Sequence, residues 1–189
     1  MIDPVEVTCV LLTKDEDYPS EVMEPLLNIR FSKWMIAQRC KGMYRRGELM
    51  QAVETAYIFT CDDDALAPAS QLLEMAEPGE MTVVMSADHQ RFYSSRKCCL
   101  LAFGAVFPKE MLGAVSRYTD VYGKDAVYER EYDRILTYFN WPQRYLDLPV
   151  TYLARGNDGT RLSEQPEHWK SLAEVIRRCD EIASSVPTT

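Results

Sequence analysis

The chain has 189 residues, 47% of them apolar and 26% charged, the proportions of a soluble globular domain. This excludes a disordered tail, a collagen and a pure coiled coil. At this length about 70% of the unfolded surface can be buried, so a core forms without staples. Twenty-one Lys and Arg stand against 29 Asp and Glu, a net charge of −8. That excludes a wholesale basic nucleic-acid binder and allows only a local basic patch.

In chain order, residues 5–13 (Val-Glu-Val-Thr-Cys-Val-Leu-Leu-Thr) read as a buried parallel strand. Residues 14–19 form a charged loop. Ser20 caps a helix through Val22, Leu26 and Leu27. A short strand is expected over 31–36, a Gly-containing turn over 40–43, and a helix over 45–55 with Leu49, Met50 and Val53 on one face. Residues 57–61 are a second buried strand running straight into Asp62-Asp63-Asp64.

Pro68 then opens a helix through Leu72, Leu73 and Met75. A strand follows over 81–86, and an apolar run over 98–107 is broken by Gly104. A helix is expected over 108–115. The amphipathic helix over 126–139 gathers Tyr128, Tyr132, Ile135, Leu136 and Phe139 on one face, with Glu129, Arg130 and Asp133 opposite. A late strand over 150–153, a turn over 156–159 and a closing helix over 167–184 complete the chain. Strands alternating with helices predict one α/β domain, a three-layer sandwich around a mainly parallel central sheet.

The six cysteines (Cys9, Cys40, Cys61, Cys98, Cys99 and Cys179) include no C-x-x-C pair, so they read as buried thiols of a reducing compartment. No apolar run reaches the ~18 residues of a membrane span, and the N-terminus lacks signal-peptide regions. The expectation is a cytoplasmic protein.

In parallel sheets ligands bind at the carboxyl ends of the strands, which brings the loops 13–17 and 62–64 together. Three carboxylates there repel one another, and a hard divalent cation, Mg²⁺ or Mn²⁺, relieves the repulsion. In an extended segment Asp62 and Asp64 share a side and face one ion. Mg²⁺ commonly takes one or two carboxylates together with substrate phosphates, which makes a nucleoside diphosphate the natural partner. The plain structural alternative is an acidic turn at a helix start.

Residues 57–64 resemble the strand and D-x-D motif of GT-A-type, nucleotide-sugar-dependent glycosyltransferases, a class that includes small phage enzymes. Val10 to Asp15 resemble that family's first strand and nucleoside-binding loop. Arg45-Arg46-Gly47 to Ala56 resemble its basic segment before the D-x-D strand. The likeness spans residues 5–107 and implies a Rossmann-like GT-A fold. Residues 1–107 would be the donor-binding part, and 108–189 the acceptor side and closing helix.

The resemblance implies roles. Asp64 is the direct metal ligand. Asp62 meets the metal through water, or the donor ribose. Asp63 meets the sugar or orients the loop. Thr13 and Asp15 touch base and ribose, and Arg45 or Arg46 offsets diphosphate charge, for which a guanidinium fork is suited. Gly104 lets the backbone approach the sugar or marks a bulge. Glu129, Glu131 and Asp133 are candidates for the base, although the family's Glu-Asp pair is absent. His168 is a candidate metal ligand, and His89 a candidate for the sugar pocket or a surface loop.

The activity implied is metal-dependent transfer from a nucleoside diphosphate sugar, UDP-sugar favoured, to a hydroxyl on a small molecule, a glycan or a modified DNA base. Three other readings remain open. One is a non-catalytic nucleotide-sugar binding module. Another is a haloacid-dehalogenase-type phosphohydrolase with Asp62 as nucleophile, although Leu66 stands where that motif has Thr or Val. The third is a sugar nucleotidyltransferase, whose Gly-rich first loop is missing.

Overall fold

The computed structural model describes residues 1–13, 20–38, 44–153 and 166–185. The loop expected over 14–19 and the turns expected over 40–43 and 156–159 lie outside these.

Strand β1 (Val7–Thr13) is buried along its whole length, as its apolar, β-branched sequence requires. It is followed by α1 (Ser20–Leu27), β2 (Lys33–Gln38), α2 (Tyr44–Gln51) and β3 (Tyr57–Asp62). A two-residue turn leads to β4 (Ala65–Leu66), then α3 (Ala69–Met75), β5 (Thr82–Val84), α4 (Ala87–Ser94) and β6 (Ala105–Pro108). A 3-10 segment (Lys109–Val115) runs into α5 (Ser116–Tyr122) and α6 (Ala126–Phe139). Strands β7 (Arg144–Leu146) and β8 (Thr151–Tyr152) precede α7 (Pro166–Ser185).

The main sheet has the order β2-β1-β3-β6-β5-β7, and β4 pairs with β8 in a small second sheet. Strands β1, β2 and β3 are mutually parallel, as are β5 and β7; β6 alone runs against its neighbours. In register, Leu12 lies beside Asp62, so the ends of β1 and β3 open on the same edge. Because β6 is antiparallel, its start at Ala105, with Gly104 before it, reaches that edge too.

Both faces of the sheet are covered. Cys9, Leu11, Phe59, Cys61 and Val106 pack with Val22, Leu26, Leu72 and Leu73 on the α1/α3 side. Val10, Ile58, Val83 and Phe107 pack with Met50, Tyr132, Ile135, Leu136 and Val175 on the α2/α6/α7 side. This three-layer, mostly parallel sandwich is the fold class expected from the sequence. The period of two along β3 has a consequence for the site: Asp62 shares the face of Ile58 and Thr60, toward α2 and α6.

Several boundaries differ. The strand expected over 81–86 keeps only Thr82–Val84, and of the apolar run 98–107 only the part after Gly104 is strand. The helix expected over 108–115 is a 3-10 segment. Helices α4 and α5 and strand β7 were not anticipated. Helix α4 carries its own start signal: Ser86 accepts the amide of His89 at 3.5 Å, and Asp88 sits in the first turn. Among the described residues no helix is long and apolar enough to cross a membrane.

Candidate functional site

The edge where β1 and β3 end gathers Thr13, Asp62, Asp63, Asp64 and Gly104 of the residues singled out above. Thr13, at the end of β1, is fully buried, and its hydroxyl donates to Asp63 Oδ2 at 2.9 Å. The first loop is thereby tied to the middle carboxylate. Asp63 is itself only 5% exposed.

Strand β3 ends at Asp62, and Asp63–Asp64 form a turn rather than more strand. The extended alternation that was expected to align Asp62 with Asp64 therefore stops one residue into the motif. Asp64 is half-buried in the turn, and its carbonyl accepts the amide of Leu153 at 2.9 Å, just after β8.

Asp62 points to the α2/α6 side. Its Oδ1 accepts from Arg46 Nη2, and Arg46 Nη1 donates to Asp133 Oδ2 at 2.9 Å. Arg46 is fully buried, so in this structure its guanidinium serves two carboxylates and does not reach the open edge. Arg45, its neighbour, is exposed and paired with Glu48. The close approach of α2 to α6 that makes the bridge depends on Gly47. A Cβ there would lie 2.3 Å from the Tyr132 ring.

The acids of α6 depart from the expected solvated face. Glu129 is exposed, whereas Glu131 and Asp133 are each 3% exposed. The regular i, i+4 stacking of Glu129 on Asp133 is also broken, because Glu131 has non-helical dihedrals (φ −117°, ψ 24°) in the middle of the helix. Burial pushes both buried carboxyls above the ordinary range. For Asp133, Arg46 acts the other way and Asp62 adds to the rise; for Glu131, Arg134 is the main opposing charge. Glu131 Oε1 lies 3.9 Å from Arg130 Nε.

Two further α6 residues build the site's second wall. Arg134 Nη1 donates to the carbonyl of Cys99 at 3.3 Å, and the Cys99 amide donates to Thr137 Oγ1 at 3.2 Å. From there the chain runs to Ala102, whose carbonyl accepts the Asp62 amide at 2.9 Å. Gly104 has φ +116°, and a Cβ on it would meet Ala67 at 3.2 Å and Leu72 at 3.5 Å. Glycine is therefore required by backbone conformation and by packing against the α3 side. Beyond it, the rings of His89, Phe103 and Tyr152 form a file along the same edge, with centroids 5.4 and 5.3 Å apart.

Arg134 and Thr137 were not singled out in the sequence. No local signal marked them: both stand on the polar side of an amphipathic helix, and their contacts with Cys99, 35 and 38 residues away, are tertiary. Asp15 lies outside the described residues, as does the side chain of His168, which stands in the first turn of α7.

Among the described residues no group of three or more His, Cys, Asp or Glu comes together to hold a metal. What the edge does offer is one partly exposed carboxylate, Asp62, at 16% of its side chain, with Asp64 in the adjoining turn. Asp62 Oδ2 accepts no hydrogen bond from the described residues. Such a donor set fits a hard divalent ion whose remaining positions go to phosphate and water.

No family model matches the chain, and no curated protein matches it. Solved structures do. Glucosyl-3-phosphoglycerate synthase from Mycobacterium tuberculosis, in complex with Mn²⁺, UDP-glucose and phosphoglyceric acid, superposes with a TM-score of 0.51 at 12% identity over 92% of this chain and 79% of that one. The same enzyme with Mn²⁺, UDP and phosphoglyceric acid gives 0.50 at 12% identity, over 97% and 80%. At that identity the likeness speaks for the architecture: the chain has a GT-A-like, Rossmann-type three-layer α/β fold.

Proposed function

We propose that the chain is a metal-dependent glycosyltransferase that moves a sugar from a nucleoside diphosphate sugar to an acceptor hydroxyl. The observation that carries this reading is the placement of Asp62-Asp63-Asp64 at the carboxyl edge of β3, beside the end of β1, in a GT-A-like fold. The complexes of the similar mycobacterial enzyme contain UDP or UDP-glucose with Mn²⁺ or Mg²⁺, which favours a UDP-sugar donor and either of those ions here.

In this reading Asp64 binds the ion, and Asp62 reaches it through water or takes the donor ribose. Asp63, held by Thr13, sets the turn between them. His168 is a further candidate ligand, and Thr13 and Asp15 flank the nucleoside. The ion supplies stabilisation of the negative charge that develops on the departing diphosphate. Arg45 is the exposed cation of α2 nearest in sequence to that role; Arg46 holds Asp62 in place. Gly104 and the ring file beyond it line the sugar side of the edge.

For the base, Glu131 is favoured over Glu129 and Asp133. Its carboxyl is pushed upward by burial, toward the range where a base works, and it sits on irregular backbone, both marks of a functional group. Residues 1–107 form the donor side and 108–189 the acceptor side of one unit, and the acceptor is a small molecule, a glycan or a modified DNA base.

A non-catalytic nucleotide-sugar binder would share Asp62 and Asp64, and donor turnover separates the two. The phosphohydrolase reading is weaker, because here the motif strand is third in chain order and Asp62 is tied to a buried arginine.

The test is thermal stabilisation by a panel of nucleotide sugars with and without Mn²⁺, for wild type and Asp64→Ala. A ligand at 100 times its Kd adds about 2.7 kcal/mol. A Mn²⁺-dependent shift with one donor, lost in the variant, supports the site. A folded protein unmoved by every donor rejects it.

A further inference from the structure

We propose that Asp133 is a positioning residue that supplies the counter-charge to Arg46, keeping the Asp62 edge negative enough to hold a divalent cation. The inference rests on the metal-dependent reading above and deepens it.

A cation site is read at Asp62, yet a fully buried guanidinium is bonded directly to that carboxylate. Alone, Asp62 and Arg46 sum to zero, and the buried positive charge repels a metal ion through a poorly screened medium. Asp133, only 4% exposed, binds the other arm of the same guanidinium at 2.9 Å. The three groups then carry a net charge of −1, equal to that of Asp62 with no arginine beside it.

Arg46 can therefore fix the direction of the Asp62 side chain without cancelling its charge. The same helix fixes the main chain at that point. Arg134 and Thr137 grip Cys99, and the segment after it presents the Ala102 carbonyl to the Asp62 amide. Arg134 has its own compensation, lying 5.2 Å over the Tyr93 ring. Asp133 is enclosed and bonded to Arg46, so it acts through Arg46.

The test measures Mn²⁺ binding to the full chain directly, by electron paramagnetic resonance of free Mn²⁺, first with Mn²⁺ alone and then with UDP added. Four proteins are compared: wild type, Asp64→Ala, Asp133→Asn and the double variant Arg46→Met/Asp133→Leu. Asp133→Asn keeps the shape and removes the charge, and should weaken Mn²⁺ binding on the order of tenfold. The double variant removes both charges, and should bind within about threefold of wild type.

A purely structural Asp133 would lower the ligand-free melting temperature and leave Mn²⁺ affinity unchanged, which overturns the inference. So does a double variant that fails to restore binding. Should Asp133→Asn unfold, the double variant alone decides by the same criterion. If wild type binds no Mn²⁺, or Asp64→Ala binds as well as wild type, the metal-site reading itself fails and this inference falls with it.

Discussion

Arg46 is the shared partner of two carboxylates, Asp62 sixteen residues further along the chain and Asp133 eighty-seven residues further. It joins α2, the end of β3 and α6 at one buried point. Charged groups taken out of water are costly unless each is paired, and removing one partner costs far more than the pair contributes. Arg46 Nε and Asp133 Oδ1 have no hydrogen-bond partner among the described residues, so this bridge has little reserve.

Arg46→Met should therefore destabilise strongly, by about 3–5 kcal/mol, because it leaves two buried or half-buried carboxylates facing each other. Adding Asp133→Leu should recover most of that loss. Urea denaturation of the single and double variants checks this. Equal loss in both would mean that the bridge is not the source of the stability.

Gly47 tests the helix pair that carries the bridge. In an exposed helix, Gly→Ala gains about 1 kcal/mol. Here the new Cβ would lie 2.3 Å from two atoms of the Tyr132 ring, which is 1% exposed and hemmed in. Gly47→Ala should instead destabilise by roughly 1–3 kcal/mol, as overpacking does. The same substitution in a Tyr132→Leu background should cost less than it does in wild type. If thermal unfolding shows the two costs equal, the close contact is not the cause.

These two positions also mark what the sequence could and could not reveal. The strands 7–13 and 57–62 were legible because short runs rich in apolar and β-branched residues have few other uses, and the triple Asp at the second one drew the site. Gly47 read only as part of a basic segment, and Arg46 as a candidate cation for the diphosphate. Their roles come from α6, far along the chain, and no local pattern encodes a tertiary neighbour. The acids of α6 misled for a related reason: the helix packs against both α2 and α7, and Glu131 and Asp133 are buried in those contacts while Glu129 stays exposed. The short strands β4 and β7 have two and three residues, too few for a period to show.

The acid limb of stability should trace to Asp125. Burial acts to raise its carboxyl, but the Tyr128 amide at 2.9 Å, Arg178 at 2.5 Å and the Tyr118 hydroxyl outweigh it and hold it below the ordinary value. A depressed folded-state value means that the contribution is complete above the unfolded value, about 3.9, and is lost as pH falls through the folded one. Glu174, lowered to about 2, acts in the same sense from the surface. Asp133 and Glu131, both raised, act in the opposite sense, gaining stability as pH falls. Asp125→Asn keeps an N-cap while removing the charge. Its melting temperature should fall less steeply than that of wild type below about pH 5. Parallel acid limbs for the two proteins would assign the loss to other carboxyls.

The buried thiols should be inert. Cys9, Cys61, Cys98, Cys99 and Cys179 are thiols with no exposed surface. Burial pushes Cys98 up to about 11 and Cys179 up to about 12, and raises Cys9 and Cys99 as well. The thiolate is the reactive form, so at pH 7.5 almost none is present at Cys9, Cys98, Cys99 and Cys179 even where a reagent could enter, and Cys61 is shielded by burial. Native protein treated with iodoacetamide and mapped by mass spectrometry should leave these five unmodified, while in denaturant all five should react. Labelling of Cys98 or Cys179 in the native protein, with no loss of helical signal, would mean that α7 opens from the α6 face on the timescale of the reaction. That helix would then be a moving part rather than a fixed wall.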